Sequence, residues 1–127
     1  MTERDTFSAL GAPPAIGPYS HAVSAAGLLF CSGQIPLDPV SGELVGETPG
    51  EQARQCLENL REVCAAAGAS LQRAVRLTIY TTSLGNFAEI NEVYGSFFAE
   101  HPPARATVGV AALPQGAYVE IDAIVAL

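Results

Sequence analysis

Not one of the 127 residues is lysine, and all six basic residues are arginine. A chain without lysine cannot hold pyridoxal phosphate as an internal Schiff base, and lysine-based covalent catalysis is excluded with it. Positive charge is scarce altogether, since thirteen acids leave a net charge of −7. Gripping a phosphate backbone takes a basic stripe, so nucleic acid is not an expected partner; a local Arg54 and Arg61 patch is the one exception in sight. No run of eighteen apolar residues occurs, and no transmembrane helix is expected. The opening MTERDTFSAL lacks the apolar centre of a secretion signal. Three cysteines, Cys31, Cys56 and Cys64, give an odd count without CxxC spacing. That pattern suggests neither a disulfide framework nor a zinc site, and buried thiols are expected instead. His21 and His101 have no partners at ligand or triad spacing, and both read as structural or surface residues. A cytoplasmic protein without a metal site is the expectation.

What is present argues for compact folding. Apolar residues make up 49% of the chain against 15% charged, enough for one domain spanning 1–127 with a real core. Residues 1–14 read as a loosely ordered arm. A Gly17-Pro18 turn then delivers Tyr19. Strands follow at 21–24 and 28–33 around Ala26-Gly27, and 34–39 is extended. Thr48-Pro49-Gly50-Glu51 has the pattern of a capping box, with proline suited to the first turn. Ala53, Leu57, Leu60, Cys64 and Ala67 recur at helical spacing until Gly68 stops them, and Arg54 with Glu58 forms an i,i+4 pair. Val75 to Thr82 alternates as a strand. A second helix begins near Asn86 with Glu89 as a weaker box. It carries Phe87, Ile90, Tyr94, Phe97 and Phe98 as its apolar stripe and ends before Pro102-Pro103.

The last stretch, PARATVGVAALPQGAYVEIDAIVAL over 103–127, reads as an antiparallel hairpin turning at 113–116. Pairing 112 with 117 sets 107 opposite 122 and 109 opposite 120. Arg105, Thr107, Gly109, Glu120 and Asp122 would then share one face, and Val108, Val110, Val119 and Ile121 the other. Two helices would cover the aliphatic face, with Val75 and Leu77, of a sheet of five or six strands. The opposite face holds more small and apolar residues than water requires, so a partner subunit is expected to cover part of it.

IGPYSHAV, SGQIP, AAGASLQRAVRLTIYTTSLGNFAEINEVYGSFF and PARATVGVAALPQGAYVEIDAIV occur in this order between residues 12 and 125. As a set they resemble the reactive intermediate deaminases, the RidA or YjgF-type proteins also described as endoribonuclease L-PSP-like. The resemblance implies an α+β, chorismate-mutase-like subunit of the bacillary type. Its mixed six-stranded sheet would carry two helices on one face and assemble as a homotrimer with ligand sites between subunits. It also implies cofactor-free hydrolysis of 2-aminoacrylate-type enamines and imines to 2-oxo acids and ammonia. The missing lysine and missing metal spacing agree with that.

By the same resemblance Arg105 is the substrate-carboxylate arginine, suited by its planar fork of donors. Its plain alternative is an ion pair with Glu120 or Asp122. Glu120 matches the acid that orders or deprotonates water. Within the expected hairpin the two lie about 13 Å apart, which favours a composite site with one residue from each of two subunits. Tyr19 matches a tyrosine lying over the substrate, with plain packing as the alternative. Ser32 and Gly33 match a pocket-lining pair, and Asn91 a helix asparagine near the pocket. Thr107 stands where many relatives carry cysteine, a ligand-facing change that keeps a hydroxyl and loses a thiol. Asp122 is read as structural. Three functions follow: an imine deaminase, a sensor of 2-oxo acids or other small carboxylates without turnover, and a nucleic-acid enzyme. The acidic charge counts against the third.

Overall fold

The computed structural model of the chain describes residues 3–127. Six strands form one sheet: β1 (Asp5–Phe7), β2 (Ala22–Ala25), β3 (Leu28–Gln34), β4 (Ala74–Thr81), β5 (Ala104–Gly109) and β6 (Val119–Ala126). Their order is β1-β2-β3-β6-β4-β5. Only β4 and β5 run parallel, which makes the sheet mixed, as expected. Two helices, α1 (Pro49–Ala66) and α2 (Phe87–Phe97), complete the α+β architecture.

The expected helix of 48–68 forms, with both ends set by local chemistry. The Glu51 N–H donates to Thr48 Oγ1 at 3.2 Å, and that hydroxyl donates to Glu51 Oε1 at 3.0 Å. At the other end Gly68 adopts φ +72°, Ala69 N–H reaches Cys64 O at 2.8 Å and Gly68 N–H reaches Ala65 O at 3.1 Å. These are the two bonds of a Schellman stop, a backbone turn that glycine adopts without steric cost. The Asn86 cap does not form. Glu89 instead accepts from the Gly50 N–H at 2.7 Å, placing a carboxylate at the N-terminus of the neighbouring helix, where the dipole favours negative charge. Nor does Arg54 pair with Glu58. Arg61 takes Glu58 at 3.1 Å, while Arg54 lies 5.8 Å from the Phe97 ring centre.

The core lies between the sheet and α1. Leu29, Leu77, Ile79, Val119, Ile121 and Val125 are fully buried, as are Leu57, Leu60 and Val63 of α1 and Ile90 of α2. All three cysteines are buried, Cys56 and Cys64 completely. Residues 3–14 are not the loose arm expected of 1–14 (residues 1–2 lie outside the described residues). Asp5–Phe7 pairs with β2, and Ala9, Ala12 and Pro13 are buried. No helix among the described residues is long and apolar enough to cross a membrane.

The C-terminal hairpin is corrected by the topology. β4 lies between β5 and β6, pairing Thr78 with Ala106 on one side and Asp122 on the other. A parallel partner needs a long crossover, and α2 supplies it between β4 and β5. Parity on β5 is therefore set by β4. Arg105 pairs with Leu77 and Thr107 with Ile79, so both stand on the helix-covered face. Glu120 pairs with Tyr80 and Asp122 with Thr78, on the opposite face. The five polar positions do not share a face. Val108 is 41% exposed for the same reason, and Val75 is the extra residue of a bulge between Ala74 and Arg76.

Candidate functional site

Sequence-predicted site residues fall into two groups. The first surrounds a cleft of about 450 Å³ beside β3 and β6, lined among others by Tyr19, Ser32, Gly33, Gln115 and Glu120. A second bulge creates its floor. On β3 Cys31 pairs with Ala123 and Gln34 with Ile121, so Ser32 and Gly33 occupy the space of one register step. Such an extra residue re-aims the side chains around it. Ser32 turns back, its Oγ donating to Ser20 O at 2.7 Å and its N–H to His21 O at 3.0 Å. Gly33 faces Glu120 closely: a Cβ built on it would lie 3.0 Å from the carboxyl carbon. With no side chain at position 33, the Glu120 carboxylate occupies that space; a larger residue would have to push the carboxylate aside.

Among the described residues Glu120 is the only charged one lining the cleft, and it is half-buried. Burial raises its pKa above the ordinary carboxylate value, and the charge of Asp122 adds to the shift. Asp122 itself accepts from the Tyr80 hydroxyl at 3.1 Å, a structural contact of the kind expected for it. The Tyr19 ring stands at the cleft with its hydroxyl oxygen accepting from Ile16 N–H at 3.1 Å, so its own proton is left to offer elsewhere.

A raised pKa has a stability consequence. The folded chain holds the Glu120 proton more tightly than the unfolded chain does. The stability this contributes is present below the unfolded pKa and lost as pH rises through the folded one. Ionised Glu120 is therefore a cost at neutral pH. Glu120→Gln is expected to melt at or above the wild-type temperature at pH 7, with the gap closing below about pH 4. Melting curves across that range check this, and a mutant clearly less stable at pH 7 would contradict it.

The second group gathers around Arg105, on the edge strand. Its Nη1 donates to Asn91 Oδ1 at 2.7 Å, and its guanidinium carbon lies 4.7 Å from the Tyr94 ring centre and 5.3 Å from that of Phe87. Phe87, Asn91 and Tyr94 recur at i, i+4 and i+7, one stripe of α2. Sequence reasoning assigned the two aromatics to packing alone. The clue was available in Asn91, whose position between them marks the stripe as a cradle for a planar cation. Nearby, the buried Thr107 and Tyr94 hydroxyls have no hydrogen-bond partner among the described residues, and burial raises the pKa of the Tyr94 phenol.

The two groups do not meet within one chain. Arg105 is level with Ala123 across β4, three residues along β6 from Glu120, on the other face and two strands away. Strand spacing and rise place the two backbones about 14 Å apart. The separation expected from a hairpin is kept, but for a different reason. Among the described residues no cluster of three or more His, Cys, Asp or Glu side chains could hold a metal ion.

Comparison with known proteins places this geometry. The family model described as endoribonuclease L-PSP matches residues 10–127. A mouse protein named 2-iminobutanoate/2-iminopropanoate deaminase is 45% identical over 95% of this chain and 90% of its own. The solved structure of RidA from an Antarctic Psychrobacter superposes with a TM-score of 0.92 at 42% identity, covering 97% of this chain and 99% of that one. TdcF of E. coli, solved with bound serine, gives 0.90 at 41% identity, with 97% and 98% covered. With a fold and a sequence shared along almost its whole length, the chain belongs to the endoribonuclease L-PSP family, the reactive intermediate deaminases of RidA type.

Proposed function

We propose that this protein is a cofactor-free hydrolytic deaminase of 2-aminoacrylate-type enamines and imines, releasing a 2-oxo acid and ammonia. The observation that carries the reading is Glu120: a half-buried carboxylate of raised pKa, the one charged group among the described residues that line the cleft. The mouse relative's name supports the same chemistry. An enamine first takes a proton from solvent at its methylene carbon and becomes the iminium ion. Water then attacks the C=N carbon while Glu120 accepts the water's proton and the C=N electrons move to nitrogen. Glu120 returns the proton to nitrogen, the C–N bond breaks as ammonia leaves, and the hydroxyl gives its proton to solvent as it becomes the ketone, offsetting the proton taken up at carbon. A base whose pKa lies nearer the working pH both accepts and returns a proton efficiently.

Arg105 holds the substrate carboxylate in this reading, with Asn91, Phe87 and Tyr94 fixing the guanidinium plane. Thr107 offers its unpartnered hydroxyl beside it. Because Arg105 and Glu120 are separated, the working site joins the arginine group of one copy to the glutamate cleft of another, in a homotrimer. The sheet face without helices suits such an assembly: Phe30 is 43% exposed on it and Val108 41%. Light scattering is expected to give three times the 13.2 kDa chain, and a mass near one chain would remove the composite site.

A second reading has its own support in the serine held by TdcF: a sensor that binds small carboxylates and releases them unchanged. A dehydratase that generates 2-aminoacrylate separates the two. Added protein should shorten the delay before pyruvate appears; an unchanged delay with intact 2-oxobutyrate binding would favour the sensor.

A further inference from the structure

We infer that His21 is a positioning residue for the cleft, clamping the segment 9–19 whose far end forms one wall of the ligand site. His21 is 4% exposed and both ring nitrogens are engaged. Nδ1 accepts from the Ala9 N–H at 2.9 Å, and Nε2 faces Pro13 O at 2.8 Å. A backbone N–H can only donate and a carbonyl can only accept. The pair therefore fixes the neutral tautomer with its proton on Nε2. One side chain thus grips the segment at two points four residues apart.

The segment has little else to hold it at its cleft end. Pro13 and Pro14 have no N–H to offer, and residues 14–19 are exposed. Their backbone bonds are local, Ile16 N–H to the Tyr19 hydroxyl and Tyr19 N–H to Gly17 O. Yet Pro13, Pro14, Ile16 and Tyr19 all line the cleft over Glu120. The carbonyl of His21 also accepts from the Ser32 N–H at 3.0 Å, beside Gly33. His21 thereby joins this wall to the floor at Ser32, beside the Ser32 Oγ bond to Ser20 O, and the wall's position depends on an imidazole outside the cleft. Removing one partner of a buried hydrogen bond leaves the other unsatisfied, so the clamp should fail as a unit.

The inference rests on the reading that this cleft takes the ligand, and its test has arms independent of turnover. His21→Ala is expected to speed exchange of the Ala9 amide hydrogen at least about tenfold while β6 amides keep their protection. It should weaken 2-oxobutyrate affinity and raise KM for the imine about tenfold, with kcat within about twofold, because Glu120 is untouched. His21→Gln, whose amide supplies one acceptor and one donor, should restore exchange and affinity to within about threefold of wild type. A folded His21→Ala protein with wild-type affinity overturns the clamp's role in the site, and a folded His21→Gln no better than alanine overturns its hydrogen-bonding basis. Should the alanine variant fail to fold, the wild type decides: saturating 2-oxobutyrate must slow Ala9 exchange, and unchanged exchange overturns the coupling. Wild type that binds 2-oxobutyrate without hydrolysing imine would overturn the deaminase reading alone, since exchange and affinity still report on His21.

Discussion

Glu120→Gln should slow imine hydrolysis by about 10²–10⁴-fold while leaving 2-oxobutyrate affinity within about threefold. Glutamine keeps the size of the side chain and one acceptor oxygen, so the packing over Gly33 survives. What it loses is the ability to take a proton from water and hand it to the departing nitrogen. Among the described residues no other charged side chain lines the cleft to replace it. Loss of rate without loss of binding is the signature of a group that acts only as the transition state forms. Steady-state kinetics with calorimetry on the same preparation checks this. Full hydrolysis by a folded Glu120→Gln protein would leave the water to backbone groups such as those at Ser32-Gly33.

Arg105→Ala should act in the complementary way, weakening 2-oxobutyrate binding by about 1.5–3 kcal/mol, the range for a hydrogen bond to a charged group. Hydrolysis of carboxylate-bearing imines should fall with it. Arg105→Lys should recover little. A lysine ammonium is a point charge without a planar fork, and it cannot lie flat between Phe87 and Tyr94 while donating to Asn91 Oδ1. Unchanged affinity in a folded Arg105→Ala protein would place the carboxylate clamp elsewhere.

Much of the fold was legible because local signals were unambiguous. Thr48-Pro49-Gly50-Glu51 and Gly68 bounded α1, and Ala26-Gly27 marked the turn between β2 and β3. The C-terminal region misled for a physical reason. Alternation reports which residues face opposite ways within a strand, not which strand lies alongside. Val108 and Val110 resembled core positions, but β5 is an edge strand whose parity β4 dictates, and Arg105 and Thr107 take the helix side. Glu89 was misassigned because its partner, Gly50, is distant in sequence. At the site, Tyr19, Ser32, Gly33 and Glu120 come together around one cleft, as do Arg105 and Asn91 on α2's flank. The bulge that presents Gly33 to Glu120 left no mark in the alternation pattern. His21 was read as structural or surface and is buried; its grip on Ala9 and Pro13 depends on backbone groups that sequence does not display.

In the proposed site one copy supplies Arg105 and another supplies Glu120. Mixing tests it directly. Arg105→Ala and Glu120→Gln proteins, each nearly inactive alone, are unfolded together in equal amounts, refolded and assayed for imine hydrolysis. Random assembly places an intact arginine group against an intact glutamate cleft at roughly one site in four, so about a quarter of wild-type activity should return. A mixture that refolds and exchanges subunits but stays as inactive as its components would contradict the composite site.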